Sequence, residues 1–161
     1  MGAMGLEVLS MCLIDLDNDG LQDAVVAIKS HELRWLRRLD RTGLRWEEHT
    51  IPVDYDDGNT RAVEAADLDL DGRLDLVYTT WNAQGKHGIR WLSYGKSVFD
   101  SAWTPHPLSG KQRGIKYDRI ELIDLDEDGD LDLLTCEERE GGSGLGVIWY
   151  ENPFAEPSVE Q

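Results

Sequence analysis

The chain has 161 residues, which is enough for one domain with a hydrophobic core. Its 32 acidic residues outnumber the 16 basic ones, so the formal net charge is −16. Such an acidic surface disfavours nucleic acids, which bind to basic stripes, and anionic membrane surfaces. No apolar run approaches the ~20 residues of a membrane span, and no secretory signal is recognised. Residues 1–5, MGAMG, are interpreted as an expression scar.

Three units follow one another along the chain, and each repeats the same order of elements. In residues 6–54 the apolar run EVLSMCLI leads into an acidic loop, and three further strand-like runs follow, the last being LRWEEHTI. Residues 55–110 repeat this order from RAVEAA to WTPHPL, and residues 111–153 repeat it from DRIELI to GVIWYEN. The runs end after about seven residues, which predicts strands rather than helices. In the third unit we expect the fourth strand to be short or absent, and residues 154–161 to be a weakly structured tail.

The most specific feature of each unit is the acidic loop, D-x-D-x-D-G-x-x-D. Four carboxylates within nine residues repel one another, so an ordered loop of this kind needs a cation. Calcium takes roughly six to eight oxygens in a flexible geometry, and a glycine at the sixth position allows the sharp turn. This predicts about one Ca²⁺ per unit, bound by the side chains at positions 1, 3, 5 and 9 and by the backbone carbonyl at position 7. The predicted side-chain ligands are Asp15, Asp17, Asp19, Asp23, Asp67, Asp69, Asp71, Asp75, Asp124, Asp126, Asp128 and Asp132, and the predicted carbonyl ligands belong to Leu21, Arg73 and Asp130.

Other interpretations of the acidic loop are less favourable. Magnesium requires near-ideal octahedral geometry and gives up its water reluctantly. An EF-hand needs a glutamate at position 12 and flanking helices, whereas Val26, Tyr78 and Thr135 occupy that position between strand-like runs. A single acidic loop could be an ordinary solvated turn, but three copies in register favour metal sites.

Each unit also carries a tryptophan in its third strand, namely Trp35, Trp91 and Trp149. Four short antiparallel strands per unit predict an all-β fold, a β-propeller built of four-stranded blades with three blades in this chain. A large flat residue at the same place in every blade suits packing between blades. We therefore predict that these three tryptophans belong to the core.

The acidic loops, the D-L/A-V/L strands that follow them and the closing W-Y-E-N-P resemble FG-GAP or VCBS repeats, the blades of integrin-type β-propellers. The resemblance extends over roughly residues 6–153. It implies that the loop aspartates bind calcium in the hairpin between the first and second strands of each blade. It also implies an extracellular or periplasmic location, where millimolar calcium makes weak sites useful. The Phe-Gly and Gly-Ala-Pro signatures of the family are missing from this sequence.

Three blades would form an open arc, because closed propellers typically have four to eight. The two end faces of the arc would expose more apolar surface than a soluble monomer tolerates. We expect a homo-oligomer that closes a ring, most simply a head-to-tail dimer of two three-blade chains. The alternative is that the chain is a fragment of a longer protein whose other blades complete the ring.

Any ligand is expected on the edge opposite the acidic loops. The candidate ligand-binding residues there are Trp81, Asn82, His87, Tyr117, Glu138 and Arg139. An aromatic residue beside amides and charges is typical of sugar-binding surfaces, although ordinary solvated loops have a similar composition. We therefore favour a calcium-stabilised scaffold that recognises protein or carbohydrate without catalysis. The alternative is the propeller portion of a polysaccharide-degrading enzyme, a lyase or glycosidase, because related blades occur in such enzymes.

No catalytic constellation is recognised in the sequence. The four histidines are not accompanied by G-x-S-x-G, H-E-x-x-H or a glycine-rich phosphate loop. Cys12 and Cys136 lie in apolar runs without a C-x-x-C motif, so we interpret both as small buried hydrophobic residues. We expect this chain not to be an enzyme.

Overall fold

The computed structural model describes residues 2–139 and 141–153, and every regular element in these ranges is a β-strand. The predicted all-β class is therefore confirmed. The strands are β1 (Val8–Ile14), β2 (Asp23–Ile28), β3 (Glu32–Arg38), β4 (Trp46–Pro52), β5 (Asn59–Ala66), β6 (Asp75–Trp81), β7 (Ile89–Tyr94), β8 (Trp103–Pro107), β9 (Tyr117–Ile123), β10 (Asp132–Glu137) and β11 (Gly146–Tyr150).

The strands form three antiparallel sheets, and strands that follow one another in sequence are neighbours in space. Strands β1–β4 make the first sheet, β5–β8 the second, and β9–β11 the third. Each predicted unit thus supplies one sheet, and the third sheet has three strands within the described residues. The predicted tail, residues 154–161, lies outside them. Over the described residues the sheets stack in chain order and do not close into a ring.

Each sheet has two faces, which we name by the tryptophan of its third strand. The tryptophan face of the first sheet carries Trp35 and its cross-strand neighbour Val25. The other face of each sheet is the reverse face. In the second sheet the reverse face carries Val63 and Tyr78, which share one buried cluster with Trp35 and Val25. The first contact between sheets therefore joins a tryptophan face to a reverse face.

The second contact between sheets repeats the first. Trp91 and Val77, on the tryptophan face of the second sheet, share a buried cluster with Ile120 and Leu133 on the reverse face of the third. Apolar burial of this kind contributes roughly 25 cal/mol for each Å² removed from water. The alternation of side chains along the strands thus produces the same packing twice.

The prediction that all three third-strand tryptophans belong to the core is correct for Trp35 and Trp91, which are buried. It is wrong for Trp149, which is exposed because no described sheet packs against the tryptophan face of the third sheet. The two buried indoles also stack on histidines of the fourth strands. The ring centroids are 4.7 Å apart for Trp35 and His49, and 3.9 Å apart for Trp91 and His106.

A buried polar network lies between the first two sheets, near the edge opposite the acidic loops. The hydroxyl of Tyr78 donates to Asp57 at 2.5 Å, and the Arg90 guanidinium lies 2.7 Å from the other oxygen of the same carboxylate. Burial raises the pKa of Asp57, an effect that Tyr78 and Arg90 oppose. Removing one partner from such a buried pair leaves an uncompensated charge, so this network holds the loop before β5 to the face of the second sheet that packs on the first.

Part of the segment interpreted as an expression scar, residues 2–5, packs against the first sheet. The backbone N–H of Ala3 donates to Glu48 at 3.0 Å, and Ala3 lies against the buried cluster that contains Leu36. Met1 lies outside the described residues. Among the residues that the structure describes, no helix is long and apolar enough to cross a membrane.

A glycine makes room for the aromatic ring that joins the second and third sheets. Tyr117 is fully buried, and a Cβ added at Gly88 would overlap with its ring. We predict that Gly88→Ala destabilises the fold by about 1–3 kcal/mol through overpacking. Gly110→Ala is the matched control, because a Cβ there meets no atom within 4 Å. Urea denaturation of both variants checks this, and equal stabilities would contradict it.

Candidate functional site

The three acidic loops, residues 15–23, 67–75 and 124–132, each join the first and second strands of a sheet. They share one backbone conformation. The residue at the fourth position has a positive φ of 57°, 59° or 63°, and the glycine at the sixth position has a φ of 84°, 86° or 105°. The sixth position therefore requires glycine, as the sequence pattern suggested.

The first aspartate of each loop holds this turn by accepting two backbone hydrogen bonds. Asp67 accepts from the N–H groups of Asp71 at 3.0 Å and Gly72 at 2.9 Å. Asp15 and Asp124 accept the equivalent pairs at 2.8 to 3.2 Å. In every loop the fifth-position aspartate also accepts from the seventh-position N–H, at 2.9 to 3.2 Å. The backbone therefore orients these carboxylates.

The carboxylates at positions 1, 3 and 5 converge in all three loops. In each loop one oxygen from each of the three side chains lies within 4.8 Å of the other two. The three triplets are Asp15, Asp17 and Asp19; Asp67, Asp69 and Asp71; and Asp124, Asp126 and Asp128. Carboxylate oxygens are the ligands that calcium and magnesium prefer, so the donor set fits a hard divalent cation.

The ninth-position aspartates, predicted to be ligands as well, lie outside these triplets and are buried. Asp23 accepts from the indole N–H of Trp35 at 2.8 Å and from the backbone N–H of Arg38 at 2.7 Å. Asp75 accepts from a loop N–H at 3.0 Å, and Asp132 accepts from two backbone N–H groups at 2.9 and 3.1 Å. These hydrogen bonds tie each loop to the sheet beneath it.

Burial raises the pKa of Asp75 to about 7, and the neighbouring charges of Asp69, Asp71 and Asp67 add to this effect. The three carboxylates of the triplet therefore disfavour the charged form of Asp75. A cation among them would have the opposite effect, because an opposite charge within a few ångströms favours the ionised carboxylate.

The seventh-position residues, predicted to bind through their carbonyl groups, differ in their side chains. Leu21 is partly buried, the Arg73 guanidinium pairs with Asp71, and Asp130 is buried. Their backbone N–H groups all face a fifth-position carboxylate. This is the feature that the three positions share.

The three loops differ in the basic side chains that compensate their charge. In the first loop Arg37 lies 2.5 Å from Asp17 and 3.4 Å from Asp19, and in the second loop Arg73 pairs with Asp71. Within the described ranges, no basic side chain forms an ion pair with the triplet of the third loop. Desolvation, followed by the charges of Asp128 and Asp132, raises the pKa of Asp126 there. The third loop therefore receives the least charge compensation from basic side chains among the described residues.

The candidate ligand-binding residues are divided between two clefts on the opposite edge. Trp81 lines a cleft of about 180 Å³ together with Lys29, Arg61 and Lys116. The Lys29 ammonium lies 5.0 Å from the centroid of the Trp81 ring. The indole N–H of Trp81 is buried, and no described residue accepts a hydrogen bond from it.

His87 and Tyr117 line a second cleft, of about 520 Å³, with Lys111 and Arg113. The Nδ1 atom of His87 lies 2.8 Å from the carbonyl oxygen of Ser109, so this nitrogen carries the proton. The hydroxyl of Tyr117 donates to the carbonyl oxygen of Arg113 at 3.0 Å. These contacts fix the walls of the cleft.

The other three candidates line neither cleft. Asn82 has a positive φ of 58° in the turn after β6, and Glu138 pairs with Lys116. The carbonyl oxygen of Arg139 accepts from the N–H of Gly142 at 3.2 Å. The sequence placed Arg61 and Lys116 in the loops on this edge but did not indicate Lys29, because the meeting of the three residues depends on how three different sheets pack.

Two of the histidines, His49 and His106, and the buried Cys12 are engaged in packing. His49 and His106 stack on tryptophans, and burial lowers the pKa of His106. Cys12 is buried, and this burial raises the pKa of its thiol to about 12, which suits a packing role rather than a nucleophile. Cys136 is half-buried, and both cysteines are free thiols.

Comparison with known proteins adds one finding. A family profile described as an FG-GAP-like repeat matches residues 15–78, which extend from the first acidic loop into β6. No curated protein matches the chain. Residues 15–78 therefore contain an FG-GAP-type repeat, as the sequence resemblance predicted.

Proposed function

We propose that this chain, which contains an FG-GAP-like repeat, is a calcium-stabilised β-propeller module that serves recognition rather than catalysis. The observation that carries the proposal is the threefold repetition of one loop geometry. In all three loops the same backbone hydrogen bonds hold the first- and fifth-position carboxylates, and these two converge with the third-position carboxylate within 4.8 Å. In this proposal each sheet is one blade.

Calcium would act here as a structural ion. It would neutralise the triplet, and the first-position carboxylate would hold both the ion and the turn. The ninth-position aspartate would couple the loop to its sheet through its backbone hydrogen bonds. Weak sites of this kind suit millimolar calcium, so we place the module outside the cell or in the periplasm.

The recognition surface in this proposal is the edge opposite the calcium loops. Around Trp81 the three cations are paired with acids, including Lys29 with Glu7 at 3.1 Å and Arg61 with Asp118 at 2.8 Å. An indole that lies beside both cationic and acidic side chains suits a polar ligand with hydroxyl groups, because these side chains can donate and accept hydrogen bonds. We therefore propose carbohydrate as the ligand class.

We predict that calcium raises the melting temperature of the chain relative to EDTA. A site held at 100 times its Kd contributes about 2.7 kcal/mol, or roughly 5–10 °C for a protein of this size. Asp126→Asn removes one carboxylate of the third triplet and should reduce the calcium-induced rise by roughly a third, because one of three sites is weakened. Thermal unfolding followed by circular dichroism measures both effects.

The matched control is Glu127→Gln, which removes the same charge from the exposed side chain next to Asp126, outside the triplet. It should leave the calcium-induced rise unchanged. Equal melting temperatures in EDTA and calcium would contradict the calcium assignment. Equal losses in the two variants would indicate a general charge effect instead.

For recognition, we predict that the chain binds members of a glycan array in calcium and that Trp81→Ala abolishes this binding. Tyr55→Ala is the control, because Tyr55 is an exposed aromatic residue that lies outside both clefts. Retention of binding in Trp81→Ala, or no binding by the unmodified chain, would contradict the carbohydrate proposal. Release of unsaturated sugars from a uronate polymer would favour the alternative, a polysaccharide-degrading enzyme.

A further inference from the structure

The reverse face of the first sheet is open along β1. Met11 precedes its loop aspartate by four residues, as Val63 and Ile120 precede theirs. Met11 is 61 % exposed, whereas Val63 and Ile120 are 1 % and 4 % exposed. The difference arises because the second and third sheets each receive a neighbour on this face. Leu13, two residues further along β1, is exposed for the same reason.

The tryptophan face of the third sheet is open in the complementary way. Trp149 is 45 % exposed, whereas the equivalent Trp35 and Trp91 are 1 % and 6 % exposed. Val147, two residues before Trp149, is exposed as well, although its equivalents in the other two sheets are fully buried. The third sheet thus has an open tryptophan face, and the first sheet has a reverse face that is open along β1.

We propose that a second copy of this chain docks its reverse face, around Met11 and Leu13, on the tryptophan face around Trp149 and Val147. The same contact made twice closes a two-copy ring, since heterologous contacts that close form rings. The proposal rests on the proposed propeller architecture. The contacts on the two sides of the second sheet are the model for this docking, because in each of them a tryptophan face packs on a reverse face.

The two contacts between sheets within the chain also indicate the orientation in which the second copy docks. Both of them join unlike faces, and neither joins two tryptophan faces or two reverse faces. A head-to-tail contact therefore extends the pattern of the chain and keeps all the acidic loops on one edge. Contact between two tryptophan faces has no precedent within the chain.

Residues 2–5 modify this contact at one side. Ala3 lies against Leu36 and its neighbours, so this segment covers the outer part of the reverse face and leaves β1 bare. A docked copy therefore contacts the reverse face mainly along β1. Deletion of residues 1–4 uncovers more of the face and should tighten the association.

The test is the mass of the purified chain in calcium by light scattering and sedimentation. We expect about twice the monomer mass of 18.2 kDa. Met11→Arg and Trp149→Arg should each raise the Kd of self-association by more than about tenfold, because both place a charge in the centre of the apolar contact. Leu44→Arg is the control, because Leu44 is exposed in the β3–β4 turn and belongs to no strand of either face. Circular dichroism confirms that the variants fold.

Mixing the two variants determines the direction of docking. Met11→Arg keeps an intact tryptophan face, and Trp149→Arg keeps an intact reverse face, so the mixture should form dimers that neither variant forms alone. Dimers of Met11→Arg alone would indicate contact between like faces and overturn the proposal. A monomeric unmodified chain, or weaker association after deletion of residues 1–4, would also overturn it. If calcium still raises the melting temperature of a monomeric chain, the docking proposal fails and the proposed calcium sites stand.

Discussion

The mutual repulsion of carboxylates in the acidic loops is the constraint on which the rest of the structure depends. Each loop brings three carboxylates within 4.8 Å, and it does so at the point where the first and second strands of a sheet must turn. Backbone N–H groups orient the charges but do not neutralise them, since a neutral donor stabilises a carboxylate without changing the net charge of the loop. Arg37 and Arg73 offset part of the charge in two loops. A divalent cation is the simplest way to offset the remainder.

The loops and the core are coupled through the ninth-position aspartates. Asp23 joins the first loop to Trp35, the residue that fills the contact between the first and second sheets. Asp132 joins the third loop to the backbone N–H of Asn152 just after β11. Order in an acidic loop is thus transmitted to the sheet that carries it. If the proposed cation orders a loop, its removal would loosen the first and second strands together with the packing beneath them.

Local sequence pattern predicted the features that depend on nearby residues. The strands, the glycine of each acidic loop and the three-unit order follow from short-range alternation and from turn chemistry, and the FG-GAP-type repeat was recognised from the same residues. Features that depend on meetings between distant strands were not predicted. The buried network, for example, joins Asp57 in the loop before β5 to Tyr78 in β6 and Arg90 in the neighbouring strand β7.

The candidate ligand residues show the same limit. All six were drawn from loops on one edge, but the structure divides them between two clefts and the surface around them. Trp149 was expected in the core because its position in the repeat matches that of Trp35, and the repeat pattern does not say where the stack of sheets ends. The sequence thus predicted the individual sheets better than the ends of the stack that they form.

The most direct test of the central claim is isothermal titration calorimetry of the metal-free chain with calcium. The account predicts saturation near three ions per chain, one for each acidic loop, with each binding event accompanied by a gain in thermal stability. The account would be contradicted if adding calcium produced no heat of binding and left the β-rich circular dichroism spectrum and the unfolding temperature unchanged. The acidic loops would then be ordered without any ion.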